Sequence, residues 1–211
     1  MKIISTNIAK PVTIQINGKN ETTGIYKKPI NQPIYLEKEQ VKGDEISNRK
    51  VHGGEFKACY LFSADYYPYW ENLYPQLDWD FGMLGENVTV KGLDESKLFI
   101  GDIYKIGTAL IQVTQPREPC NTFAAKMGSK NILKQFIAHA HPGIYVRVLE
   151  EGFVTNNDTM ILVEQAKHSL TIVQFFELLF SKEKNQRYLK LAIENESLPE
   201  NKRVKLANYL K

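Results

Sequence analysis

Residues 109–120 read ALIQVTQPREPC, and the rest of the chain is organised around them. The first half, residues 109–114, reads as a buried strand. The second half is a turn stiffened by Pro116 and Pro119, since each proline fixes its own φ and pushes the preceding residue out of the helical region. Cys120 follows that turn, with Arg117 three residues upstream. A nearby guanidinium favours thiolate over thiol, and the thiolate attacks electrophiles or binds soft metals. The other fate for Cys120 is that of most lone cysteines, a small buried hydrophobe. Its position after a strand, on a rigid and charged turn, is one that commonly lines a site.

Working outward, residues 98–100, 103–106 and 109–114 form a strand–turn–strand series broken by Gly101-Asp102 and Gly107-Thr108. Short strands at this spacing predict a barrel or a sandwich. Upstream, residues 12–16 (VTIQI) alternate with period two, and Asn17-Gly18 is a favoured hairpin turn pair. Shorter strands are expected around 24–26 and 34–36. Residues 58–62 (ACYLF) form an apolar strand that makes Cys59 a core residue, and 88–90 form another strand. Residues 63–74 predict a short aromatic helix, which Pro68 either starts late or kinks. Its tyrosines and Trp70 read as packing, because no basic residues interleave with them.

Downstream, helices are expected near 123–127 and 131–140, with Ser129 an N-cap candidate. His139 and His141 flank Ala140 at a helix end, without a neighbouring Asp, Glu or Cys to complete a zinc set. Strands return at 144–149 and 159–163. From Ser169 the pattern turns helical, with Ile172, Phe175, Phe176, Leu179 and Phe180 on one face. This tail must bury that face on the β domain or on a second chain, which makes a homodimer an expectation.

Composition sets the class. The chain has 211 residues, enough for one domain or one domain with a small appendage. A formal net charge of +3 lacks the concentrated basic face of a nucleic-acid binder, while an anionic small molecule stays compatible with it. Two cysteines, neither in a CxxC motif, fit a reducing cytoplasm. No N-terminal signal peptide is read, and no run approaches the roughly 20 apolar residues of a membrane span. A cytoplasmic protein with no membrane partner is the expectation.

Two further stretches carry polar groups suited to a ligand. Residues 43–58, GDEISNRKVHGGEFKA, contain Arg49, Lys50 and His52 before Gly53-Gly54. Paired glycines can turn successive N–H groups toward an anion, though a plain glycine loop with a solvated histidine has the same letters. Gly85-Glu86-Asn87 stands at a strand entrance, where such a pair either orients a ligand or caps a turn.

In order, Gly43-Asp44, Lys50-Val51-His52-Gly53-Gly54 with Lys57-Ala58, Gly85-Glu86-Asn87, Gly101-Asp102, Gln115-Pro116-Arg117 with Pro119-Cys120, and residues 145–152 (YVRVLEEG) form a set. That set resembles the MOSC domain, named for the C-terminal domain of molybdenum cofactor sulfurase. The resemblance is to the stand-alone bacterial YiiM type, which also ends in a three-helix segment. It implies a mainly β fold with helices: a distorted MOSC β-barrel over residues 1–165, then a small helical segment over 166–211. It implies that the chain binds the molybdenum cofactor, a molybdopterin carrying molybdenum, with Cys120 the metal ligand. Lys50, Gly53, Gly54 and Arg117 would cradle the cofactor's phosphate. Glu86 and Asn87 would join the cofactor-binding set. His52 would either hydrogen-bond the pterin or relay a proton, making Cys120 and His52 the catalytic pair.

The activity implied is reduction of N-hydroxylated compounds, of the 6-N-hydroxylaminopurine type, to amines. The sequence has no iron–sulfur cysteine set and no GxGxxG. Electrons would therefore come from a separate ferredoxin- or flavin-reductase-like protein. The alternative reading is a molybdenum cofactor or sulfur carrier using a Cys120 persulfide. The stand-alone architecture, without the pyridoxal-phosphate domain to which the sulfurase form is usually fused, favours the reductase.

Overall fold

The structure, a computed structural model, describes residues 1–16, 18–44 and 53–211. The described strands are β1 (Lys2–Ile8), β2 (Val12–Ile16), β3 (Lys19–Thr23), β4 (Lys28–Ile30), β5 (Ile34–Leu36), β6 (Cys59–Ser63), β7 (Val88–Lys91), β8 (Ile103–Ile106), β9 (Ala109–Pro116), β10 (Ile144–Glu150), β11 (Gly152–Val154) and β12 (Met160–Glu164). The helices are α1 (Tyr67–Leu73), α2 (Asn121–Lys126), α3 (Asn131–His139), α4 (Ile172–Phe180), α5 (Gln186–Glu194) and α6 (Glu200–Ala207). Short 3-10 turns at Glu55–Lys57 and Ala64–Tyr66 precede β6 and α1.

Eight strands make one mixed sheet in the order β12-β8-β9-β10-β6-β7-β1-β4. Only the β6–β7 pairing within it is parallel. β2 and β3 form a separate hairpin, and β11 pairs with β5. In β9 the alternation read from the sequence is kept: Ala109, Ile111 and Val113 are buried, and Leu110 and Gln112 partly so. From Val113 to Pro116 every residue is buried, because the strand end passes beneath the following helices. β6 is buried throughout and separates two apolar clusters. Cys59 and Leu61 join the main core, while Tyr60 and Phe62 join an aromatic cluster with Trp70, Phe123 and Phe136. A strand covered on both faces needs apolar residues at every position, and ACYLF supplies them.

The expected barrel is corrected to an open sheet. The ladder ends at β12 and at β4; β1, next to β4, meets the start of β12 through the isolated bridge Lys2–Thr159 and the bond from Met160 N–H to Met1 O, outside the ladder. β1 divides its pairing: Thr6–Ile8 face β4, while Ile3 exchanges backbone bonds with the turn at Asn157 and Asp158. That division leaves no continuous ladder to close the sheet. Residues 98–100 are also not a ladder strand. Phe99 makes one bridge, to Thr171, and Ile100 N–H donates to Leu170 O. The strand expected at 24–26 lies instead at β3. Ser129 does not cap α3; Lys130 holds that position, and Ser129 Oγ accepts from Asn131 N–H at 3.3 Å.

The tail packs on its own chain. Thr171 and Gln174 form a capping box, with Thr171 Oγ1 accepting from Gln174 N–H at 3.2 Å and Gln174 Oε1 accepting from Thr171 N–H at 3.0 Å. α4 then buries Ile172, Phe175, Phe176 and Leu178, and Leu189, Ala192, Leu198 and Leu206 continue that burial into the main core. Among the described residues no helix is long and apolar enough to cross a membrane.

Candidate functional site

The end of β9 delivers the site. Cys120 is the N-cap of α2, with extended backbone (φ −135°, ψ 170°), and its carbonyl accepts from Ala124 N–H at 3.1 Å. Cys120 is partly exposed, whereas Cys59 is buried and the pKa of its thiol is pushed far up by that burial. Of the two sulfurs, Cys120 is the one within reach of a ligand.

The segment after Gly54 is fastened against β9 and β10. Thr114 Oγ1 lies 2.7 Å from Phe56 O and 2.9 Å from Tyr145 O, and Gln115 Nε2 donates to Phe56 O at 3.3 Å. Ala58 N–H donates to Val146 O at 3.1 Å. Gly54 has φ +87°, a conformation that favours glycine, and a side chain added there would meet open space. The requirement at Gly54 is thus conformational, and Gly53 precedes it, partly exposed. This fastening sets Lys57 Nζ over the Tyr145 ring, 5.4 Å from its centroid. Burial pushes the Lys57 ammonium down, as does the neighbouring Lys202; the Glu118 carboxylate and Cys120 pull the other way. Burial also raises the Tyr145 phenol to about 12, against the pull of Arg117.

Arg117 turns inward. It is 5% exposed, with its guanidinium 4.3 Å from the Phe123 ring centroid, 5.3 Å from Tyr60 and 5.7 Å from Phe136. Its Nη1 donates to Leu84 O. Arg117 thereby holds the loop before Glu86 against the turn that carries Cys120, and its charge still reaches the sulfur.

Glu86 and Asn87 belong to an internal network. Glu86 Oε1 accepts from Tyr67 OH, from Gly82 N–H at 2.9 Å and from Thr89 Oγ1 at 2.7 Å. Asn87 Oδ1 accepts from Tyr60 N–H at 3.2 Å, and its Nδ2 donates to Asp44 Oδ2 at 2.9 Å. Asp44 also takes Ala9 N–H at 2.7 Å and pairs with Lys27. The structure therefore puts Arg117 and Cys120 just past the end of β9, fastens the segment after Gly54 against that strand, and commits the side chains of Glu86 and Asn87 to internal hydrogen bonds. Lys50 and His52 lie outside the described residues.

Three residues without a role in the sequence reading join the site. Lys57 stood in the glycine-pair stretch, and Tyr145 in the β10 stretch. Lys202, from α6, pairs with Glu118 at 2.6 Å on the cysteine turn; nothing local in the tail points to it. His139 and His141 lie elsewhere: His141 stacks on Tyr66, His139 packs against Tyr66, Tyr69 and Trp70, and His141 Nδ1 sits 3.2 Å from the buried Glu95 carboxylate. Among the described residues no group of three or more His, Cys, Asp or Glu side chains converges as a metal-binding set.

Comparison with known proteins gives this arrangement a family. The MOSC domain profile matches residues 48–161. The chain is 35% identical over 170 residues to the uncharacterized protein YflK of Bacillus subtilis, covering 81% of this chain and 76% of that one. It is 34% identical over 152 residues to a protein of Gibberella moniliformis named reductase, covering 70% of this chain but only 27% of that longer protein. The crystal structure of YiiM from Geobacillus stearothermophilus superimposes with a TM-score of 0.82 at 30% identity, over 100% of this chain and 99% of that one.

Proposed function

Because the chain belongs to the MOSC domain family, of the YiiM kind, we propose that it is a molybdenum-cofactor-dependent reductase of N-hydroxylated compounds, with Cys120 as the protein's ligand to the metal. The observation that carries this reading is the partly exposed Cys120 thiol at a helix N-cap, within the electrostatic reach of Lys57 and Arg117. A soft thiolate suits a metal that cycles by two electrons. Cations beside it suit a ligand carrying a phosphate. The donor set thus fits the group: one partly exposed cysteine with the charges of Lys57 and Arg117 acting on it. The reductase from Gibberella adds weight to the reaction type by its name alone.

The reaction consumes two electrons and two protons: R–NHOH becomes R–NH2 and water. When bound, the cofactor supplies the two-electron chemistry on the N–O bond. The chain's own residues do the rest. Cys120, its backbone set as the α2 N-cap after Pro119, would hold the metal through its sulfur. Lys57, with its ammonium destabilised by burial, would give a proton to the leaving oxygen and regain it from solvent. Electrons come from a separate protein partner.

Elemental analysis of protein from cells making ample cofactor tests the reading. Near one molybdenum per chain in wild type, little in Cys120→Ser, and reduction of 6-N-hydroxylaminopurine with an artificial donor are the expected results. Equal molybdenum in both proteins would remove Cys120 from the metal. Loaded protein inert toward N-hydroxylated bases would leave a carrier.

A further inference from the structure

The helix that Cys120 opens is fastened on both sides by cations, and both hold the same turn. Before the helix, Arg117 donates to Leu84 O. At its last residue, Lys126 Nζ donates to Gly82 O at 3.1 Å and to Ile25 O at 2.9 Å. Gly82 O also accepts from Gly85 N–H at 2.9 Å, and Gly82 N–H donates to Glu86 Oε1 at 2.9 Å, so the turn is closed on itself as well as tied to α2. The parts are in contact: a Cβ added at Gly85 would lie 3.1 Å from Ile25 Cγ1 and 3.8 Å from Arg117 Nη2. Lys126 is 101 positions from Ile25 and 44 from Gly82, so neither tie follows from local helix geometry.

The charges around Lys126 come from several elements. Glu86 meets it across Gly82, and Arg117 across the same turn. Lys27, which pairs with Asp44, and the exposed Lys28, Asp78 and Asp80 line with Lys126 a cleft of about 160 Å³, and Nζ stands 5.4 Å from the Tyr26 ring centroid. Burial pushes the ammonium down to about 7; Glu86 opposes that, while Arg117, Lys27 and Lys28 add to it. A hydrophobic side chain would pack there without that penalty, so what the lysine adds is its two bonds to carbonyl oxygens.

We infer that Lys126 is a positioning residue for Cys120. Its ammonium holds the turn at 82–84 to the end of α2. That turn holds Arg117 through Leu84 O, and Arg117 carries the positive charge three residues from the thiol. Without Lys126 the turn and Arg117 are free to shift, and the thiolate loses support although nothing at Cys120 itself has changed. The inference rests on Cys120 marking the site and needs no metal.

The readout is the pH dependence of Cys120 alkylation by iodoacetamide in the full chain prepared without metal; the buried Cys59 stays silent. Its midpoint reports how strongly the surroundings favour thiolate. Lys126→Met should raise that midpoint by about half a pH unit or more. Lys126→Arg, whose guanidinium can serve both carbonyls, should restore it. In an Arg117→Gln background, Lys126→Met should leave the midpoint where Arg117→Gln alone puts it, because the relay is already cut. A lysine with a purely structural role lowers the melting temperature and leaves the midpoint unmoved. A remote charge acting directly on the thiol shifts the midpoint equally in both backgrounds. Either result overturns the proposal. Should Arg117→Gln not fold, amide exchange over residues 82–86 decides: alongside the shifted midpoint, Lys126→Met quickens exchange if it acts through the turn, and unchanged exchange overturns the relay. Molybdenum analysis separates this inference from the metal reading. A Lys126-dependent midpoint in protein that takes up no molybdenum keeps the positioning role and removes the metal. Protein that loads molybdenum on Cys120 with an unmoved midpoint refutes the positioning role alone.

Discussion

Replacing Asp44 by asparagine tests whether the layer beneath the site is a buried charge network. The Asp44 side chain is 1% exposed and Lys27 7% exposed, and the two are paired directly. Asp44 also accepts from Ala9 N–H and Asn87 Nδ2, so one carboxylate ties together the ends of β1, the loop before β4 and the start of β7. Asparagine keeps an oxygen for one of those donors but removes the counter-charge from a buried ammonium. Breaking one side of a buried ion pair costs about 3–5 kcal/mol, and the retained oxygen argues for the lower end, about 3 kcal/mol. In a domain of this size that is a fall of roughly 6–12 °C in melting temperature. Urea unfolding followed by far-UV circular dichroism measures it, with Lys27→Met and the double variant completing the cycle. The double variant should recover about 2 kcal/mol relative to the sum of the single ones. Additive single effects, or an Asp44→Asn cost below about 1 kcal/mol, would refute the argument that this pair organises the layer.

Burial and the neighbouring His141 push the His139 imidazole down to about 4 from an ordinary 6.5. The unfolded chain therefore takes up its proton first, and stability is lost as pH falls from about 6.5 towards 4. The loss is about 1–2 kcal/mol after allowing for partial exposure; His139→Gln should flatten that limb of a urea-midpoint profile, and an unchanged slope would count against it. Gly143 has φ +68°, and a Cβ there would lie 2.4 Å from Leu61 O, a backbone atom. Gly143→Ala should cost about 2–4 kcal/mol in chemical unfolding. Arg117→Lys keeps the charge but loses the planar stack on Phe123, so it should destabilise by at least about 2 kcal/mol in the same assay; a neutral effect would mean that only the charge matters.

Local chemistry made part of this molecule legible. The alternation of 109–114 and the uniformly apolar 58–62 report on their own surroundings and appear as β9 and β6, whereas Pro116, expected in the turn, is the last residue of β9. The helical period after Ser169 likewise gives α4. What was not legible depends on distant partners. Residues 98–100 are apolar and largely buried, as a strand would be, but their backbone groups bond to Leu170 and Ile172 across the tail. Barrel closure depends on which residues of β1 meet the turn at 157 and 158. Glu86 and Asn87 have one local signature whether they face a ligand or a core network. Their deciding partners, Tyr67 and Asp44, lie 19 and 43 positions away.

The positive charge beside Cys120 shows the same limit in its sharpest form. From sequence, Arg117 is the obvious cation because it is three residues away. In the fold its guanidinium is enclosed by Tyr60, Phe123 and Phe136 and spends a donor on Leu84 O, so it fixes backbone and contributes charge through the low-dielectric layer behind the thiol. Two lysines reach the cysteine turn from distant parts of the chain, Lys57 from the turn before β6 and Lys202 from α6. Arginine suits the enclosed position because its flat fork stacks on rings and its charge survives burial. The helical tail therefore reaches the cysteine turn: without α6, Glu118 would lose its partner Lys202.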